Sequence, residues 1–90
     1  MQEIFKSFSK GKTEMEPLQF RQFVKKCKLI SKRFTLNDVD IVFSNVKAKG
    51  QITITYEDFE NSLTEIAKKT GTTVDLIKEC IEKTVFNIFN

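Results

Sequence analysis

The sequence contains no histidine, only two cysteines, one proline and three glycines. Without histidine, no side chain has an ordinary pKa near neutrality to serve as a general base. With Cys27 and Cys80 as the only thiols, this chain alone cannot assemble a zinc site of the usual Cys/His kind. Those two cysteines, in a chain with no sign of secretion, are expected as reduced thiols rather than a disulfide. No glycine-rich loop is present to cradle a phosphate, and no GxSxG occurs. Glu57, Asp58 and Glu60 cluster where a helix begins, a position that favours carboxylates electrostatically, so they are not read as an acid/base pair. Neither catalysis nor a cofactor nor a bound metal is expected. No apolar run approaches the ~20 residues of a membrane span. The opening MQEIFKSFSKGK has no long apolar stretch, so a signal peptide is not expected either.

What is present is a chain of 90 residues with net charge +3, enough for one small domain over residues 1–90. Its clearest pattern runs from Thr35 to Lys69. Val39, Val42, Phe43 and Val46 recur at one helical face, introduced by a capping pair, Thr35 and Asp38. That helix is expected to end at Lys49-Gly50. Ile52-Thr53-Ile54-Thr55 alternates apolar and polar β-branched residues as a short strand would. Thr55 with Asp58 repeats the capping pair, and Tyr56, Phe59, Leu63, Ile66 and Ala67 line a second helix closed by Gly71.

Helix, loop, short strand and helix is the layout of an EF-hand. With Ile54 at the eighth loop position, Lys47, Lys49 and Gln51 fall where a calcium loop needs oxygen ligands, and Ile52 falls where it needs glycine. Ammonium groups there have the wrong sign for a divalent cation. The first forty residues look like a weaker copy of the same unit. A first helix is expected over Glu3–Phe8, then a break at Ser9-Lys10-Gly11-Lys12, and a helix beginning at Pro17. Such units come in pairs because each one's apolar face needs the other. Met15 is therefore expected to pair with Ile54, and Phe5, Phe8, Phe23, Val42, Phe43, Phe59, Leu63 and Ile66 to form the core. The fold class that follows is all-α: an EF-hand-like pair of helix-loop-helix motifs, a short two-stranded ribbon and a C-terminal helix.

Charge is uneven. From Arg21 to Arg33 there are six basic residues and no acid. Along the helix from Leu18, Phe20, Phe23, Val24, Cys27 and Ile30 make an apolar stripe, while Arg21, Lys25, Lys28 and Lys32 make a basic one. The plain reading of that stripe is a solvated face. The functional reading is a docking face for an acidic partner, with Lys47 and Lys49 as a second contribution. The last helix, Thr72 to Phe89 with Thr72 and Asp75 as its capping pair, is expected to lay Val74, Ile77, Ile81, Val85 and Ile88 across the paired units. Its alternative role is contact through Phe86 and Phe89 with a partner or a second copy, which would make a homo-oligomer.

The stretch from Lys25 to Ala67 resembles the core domain of the tubulin polymerization-promoting protein (TPPP) family. The resemblance is carried by Cys27-Lys28, by DVDIVF over 38–43, by VKAKG over 46–50, by ITITY over 52–56 and by Phe59. It implies an EF-hand-like helical domain without calcium sites. It also implies a protein that binds tubulin and microtubules and promotes or stabilises their assembly, in the cytoplasmic cytoskeleton or in the axoneme of a cilium or flagellum. The sequence departs from better-known members, which carry a His/Cys cluster linked to zinc and a glycine-rich stretch linked to nucleotide. With no histidine, and no glycine after Gly71, neither property is carried over. Two rival readings from other classes are a nucleic-acid-binding module and a scaffold helical module. Nucleic acid is disfavoured because the helix from Tyr56 opens with acidic residues, and because no aromatic platforms accompany the basic stripe.

Overall fold

The computed structural model describes the backbone of residues 1–89 and the side chains of residues 1–86. The elements run α1 (Gln2–Phe8), β1 (Glu14–Met15), α2 (Pro17–Lys26), α3 (Leu36–Val46), β2 (Ile54–Thr55), α4 (Tyr56–Thr70) and α5 (Val74–Phe89). Two helix-loop-strand-helix units are joined by an antiparallel ribbon in which Met15 faces Ile54 and Glu14 faces Thr55. The fold is all-α apart from that ribbon, and the expected register is the observed one.

Local chemistry sets most of the helix ends. At α3, the Asp38 N–H donates to Thr35 Oγ1 at 3.3 Å, and the Thr35 N–H donates back to Asp38 Oδ2 at 2.9 Å. Thr55 and Asp58 repeat this reciprocal pair at α4, at 3.2 and 3.0 Å. At α2 the Glu16 N–H donates to Gln19 Oε1, with Pro17 as the first helical residue, where its missing N–H costs nothing.

The strand expected from Ile52 begins only at Ile54, and three expected helix boundaries are also corrected. The capping residue of α5 is Thr73, whose Oγ1 accepts from the Leu76 N–H at 3.2 Å, and not Thr72. Thr72 is engaged in closing α4: its N–H reaches back to the Ala67 carbonyl at 2.9 Å around Gly71, which takes the left-handed φ of 71°. Helix α3 ends at Val46, ahead of Lys49-Gly50, because Lys47 turns to extended backbone. Gly50, at φ 84°, serves instead the turn closed by the Gln51 N–H on the Ala48 carbonyl.

The third correction matters most. Helix α2 stops at Lys26, and Lys28 adopts a left-handed φ of 56°. The Leu29 N–H then bonds the Val24 carbonyl and the Lys28 N–H the Lys25 carbonyl, both at 3.1 Å, the double bond pattern of a glycine-type helix stop. Leu29 is swung into the core, while Ile30, expected there, is 38% exposed. A lysine at left-handed φ carries a steric cost that glycine avoids. Lys28→Gly is therefore expected to stabilise the fold by about 0.5–1 kcal/mol, after the extra chain entropy of glycine is deducted. Urea unfolding of the two proteins side by side checks it.

Beyond this stop, Ser31 and Phe34 form a lone antiparallel bridge, and Phe34 is fully buried just ahead of the α3 cap. Phe34 and the buried Val39 occupy the two positions of a hydrophobic staple. The core is aromatic and spans both units: Phe59 lies 5.2 Å from Phe5 and 4.9 Å from Phe23 by ring centroid, and Phe8 packs edge-on to Phe23 at 5.3 Å. Of Phe5, Phe8, Phe23, Val42, Phe43, Phe59, Leu63 and Ile66, all are buried except Phe8, which is half-buried. Helix α5 packs on α4 through Ile77 and Ile81, with Lys78 paired to Glu60 at 3.0 Å.

Candidate functional site

The four cations of the expected stripe, Arg21, Lys25, Lys28 and Lys32, do not lie on one helical face. Helix α2 is too short: Arg21 and Lys25 lie on it, but Lys28 is past its end and Lys32 sits in the tight turn between Ser31 and Phe34. Arg21 is engaged within the fold. Its Nε donates to Asp40 Oδ1 at 2.8 Å and its Nη2 to Asp40 Oδ2 at 2.6 Å, a two-pronged clasp between α2 and α3. What remains at this end of α2 is Lys25, Lys26 and Lys28, all exposed, followed by the exposed Lys32 and Arg33. Lys47 caps α3, half-buried, and Lys49 lies exposed in the following turn. Lys47 shares a groove with Pro17, the first residue of α2. The two basic groups thus flank opposite ends of α2, separated by the ~15 Å that ten helical residues span.

The first group extends onto α4. Arg33 Nη1 lies 3.6 Å from where a Cβ would sit on Gly71, at the α4 terminus that also carries the exposed Lys68 and Lys69. Helical spacing carries no sign of this extension. The lysines were visible in sequence as charges suited to a helix C-terminus, but their proximity to Arg33 is a tertiary fact.

Donated hydrogen bonds from Arg21, and then its charge, hold the Asp40 carboxyl below its ordinary value of 3.8. The Thr35 backbone N–H does the same for Asp38, its hydroxyl and the charge of Lys69 adding to it. Since both folded-state values are lowered, the unfolded chain binds more protons in acid. Their stabilisation is complete above the ordinary aspartate value and is lost as pH falls through the depressed ones. Asp40→Asn should make stability less sensitive to acid in that window. Urea midpoints taken from neutrality down to about pH 2.5 test this, and an unchanged acid slope would count against the clasp.

Two groups with nucleophilic potential, Cys27 and Tyr56, are held protonated. Burial, with the neighbouring Cys80 adding, pushes the Cys27 thiol up to about 12. Burial and the accepting Glu60 carboxylate push Tyr56 up to about 12. Burial also acts on Glu60, but the hydrogen bonds it accepts from Tyr56 and Lys78 outweigh it and leave its pKa lowered. No grouping of three or more His, Cys, Asp or Glu side chains placed to hold a metal ion occurs among the described residues. The loop of residues 47–58 offers no calcium site by its chemistry. An NMR titration with calcium up to about 1 mM, the weak end of EF-hand affinities, should leave residues 47–58 unshifted. Saturable shifts there at lower concentration would contradict this.

The α5 surface exposes Leu76 and Phe86, while the side chains of Ile88 and Phe89 lie outside the described residues. No described helix is long and apolar enough to cross a membrane.

Residues 2–87 match the p25-alpha family. The tubulin polymerization-promoting protein family member 2 of Bos taurus is 40% identical over 67 residues, which is 73% of this chain and 39% of that protein. Its Homo sapiens counterpart is 41% identical over 66 residues, 72% and 39% of the two chains. The tubulin polymerization-promoting protein of Rattus norvegicus is 46% identical over 57 residues, 62% of this chain and 26% of its own. The matched region is thus well under half the length of these relatives.

Proposed function

Because the chain belongs to the p25-alpha family, we propose that it binds tubulin and microtubules and promotes or stabilises their assembly. The family match across nearly the whole chain is the observation that carries this reading, and the relatives' names supply the partner. The whole of residues 1–90 acts as one unit, without catalysis. The contact surface is the exposed basic group at the end of α2, Lys25, Lys28 and Lys32, joined by Arg33. Lys47 and Lys49 add a separate contact, and Arg21 orients α2 against α3 through Asp40. The setting is the cytoplasmic cytoskeleton, with the axoneme of cilia or flagella as the finer proposal, which a tagged copy in its own cell would test.

Exposed charges act mainly by steering and orienting an acidic partner, and they are screened over ~8 Å at physiological salt. The chain should therefore pellet with microtubules at low salt, and progressively less as salt rises. A DNA and RNA gel shift over the same salt series should give no band. A chain that stays in the supernatant at low salt, or that shifts nucleic acid instead, overturns the reading.

A further inference from the structure

An open groove of about 400 Å³ lies between the first turn of α2, one face of α3 and the loop before β2. Pro17, Phe43 and Ile52 give it its apolar lining, and Asp40, Ser44 and Lys47 follow along α3 at helical spacing. Two features distinguish it from the rest of the surface. Ile52 is 80% exposed, the most exposed large apolar side chain among the described residues, although it was expected in a strand. The loop thus holds an isoleucine out at the groove's edge, where it contributes little to the core.

The second feature is charge. Asp40, the single acid lining the groove, is already neutralised by the two-pronged bond from Arg21. Lys47 makes no ion pair among the described residues, and the exposed Lys49 follows two residues on. The groove is therefore apolar inside and positive at one lip. Docking interfaces commonly place an apolar anchor in a pocket within a polar rim.

We propose that this groove takes one large apolar side chain flanked by carboxylates, presented by an acidic segment of a partner protein. Phe43 and Ile52 enclose the apolar group, and Lys47 pairs with a flanking carboxylate. The proposal rests on the tubulin reading above for the identity of that partner, and it adds a contact at the opposite end of α2 from Lys25 and Lys28. A second copy of this chain is a poor occupant, because a symmetric pairing would bring Lys47 and Lys49 towards their own counterparts.

The test is an NMR titration of the whole chain with the synthetic peptide Asp-Glu-Phe-Glu-Asp. Two control peptides carry alanine in place of the phenylalanine, or lysines in place of the acids. The expected result is saturable shifts at residues 40–52, with binding at least tenfold weaker for either control. Ile52→Asp should abolish those shifts with an unchanged melting temperature, since the side chain is exposed. Absent shifts in the groove, equal shifts with the alanine control, or the same shifts on concentrating the chain alone each overturn the proposal. Microtubule pelleting of the parent and of Ile52→Asp separates the two readings. If the peptide fills the groove but the parent chain does not pellet, the groove stands and the tubulin assignment falls. If the parent pellets and the peptide leaves the groove untouched, the groove proposal alone falls. Where both hold, loss of pelleting in Ile52→Asp should persist at salt concentrations that already weaken the α2 contact, because apolar burial is not screened.

Discussion

Phe59→Ala is expected to lower stability by about 3–5 kcal/mol, the range for truncating a fully buried aromatic ring. The ring is wholly buried, and it sits where the two helix-loop-helix units meet. Phe5 from α1 approaches it at 5.2 Å, Phe23 from α2 at 4.9 Å, and Tyr56 on its own helix stacks at 6.2 Å. Removing the ring thus leaves a cavity bordered by three helices, whose caps and ribbon pairing resist the collapse that would fill it. A chain of this length has a total stability of only about 5–13 kcal/mol on a per-residue basis. The variant should therefore unfold at a urea concentration lower by about 2 M or more. Ile41→Ala, at a position 42% exposed, should stay within about 0.5 kcal/mol of the parent. A loss below 1 kcal/mol for Phe59→Ala would mean that the two units are not held together through this ring.

The parts of the fold legible in sequence are those written in local chemistry. The pairs Thr35–Asp38 and Thr55–Asp58 announce helix starts because their side chains bond backbone groups three residues away. The match of Met15 with Ile54 follows from the repeat, since each precedes its helix cap by one residue. The end of α2 was not legible. Lysine gives no signal for left-handed backbone, and the basic spacing continued plausibly through Lys28 to Lys32. A stripe extrapolated along the chain therefore bent away at the first residue the helix did not include. Phe34 escaped for a related reason: it lies between elements, where no periodicity marks it, and it is turned inward by the Ser31–Phe34 bridge and the staple contact with Val39. The clasp of Arg21 on Asp40 joins residues nineteen apart on different helices, so no local pattern could show it. Ile52 was misjudged in the other direction, because alternation suggested a strand that begins only at Ile54.

The shortened α2 also sharpens the test of the microtubule contact. A charge change that also weakens the fold would leave any loss of binding ambiguous. Lys28 avoids this, because glycine there removes the charge while relieving the left-handed backbone at φ 56°. Combined with Lys25→Glu on an exposed position of the last turn, it takes three units of positive charge from one end of α2. The reversal places a carboxylate near a helix C-terminus, a cost of about 0.3–1 kcal/mol that the glycine substitution offsets. Parent and double variant should therefore unfold at similar urea concentrations. Exposed charge contacts are each worth up to about 1 kcal/mol. Losing them at two positions should weaken microtubule binding by roughly tenfold to thirtyfold at low salt. The gap should narrow as salt rises, since the parent's advantage is the screened part of its binding. A folded double variant that pellets like the parent across the salt series would show that this end of α2 is only a solvated surface. Retained binding that Ile52→Asp then removes would transfer the contact to the groove beside Lys47.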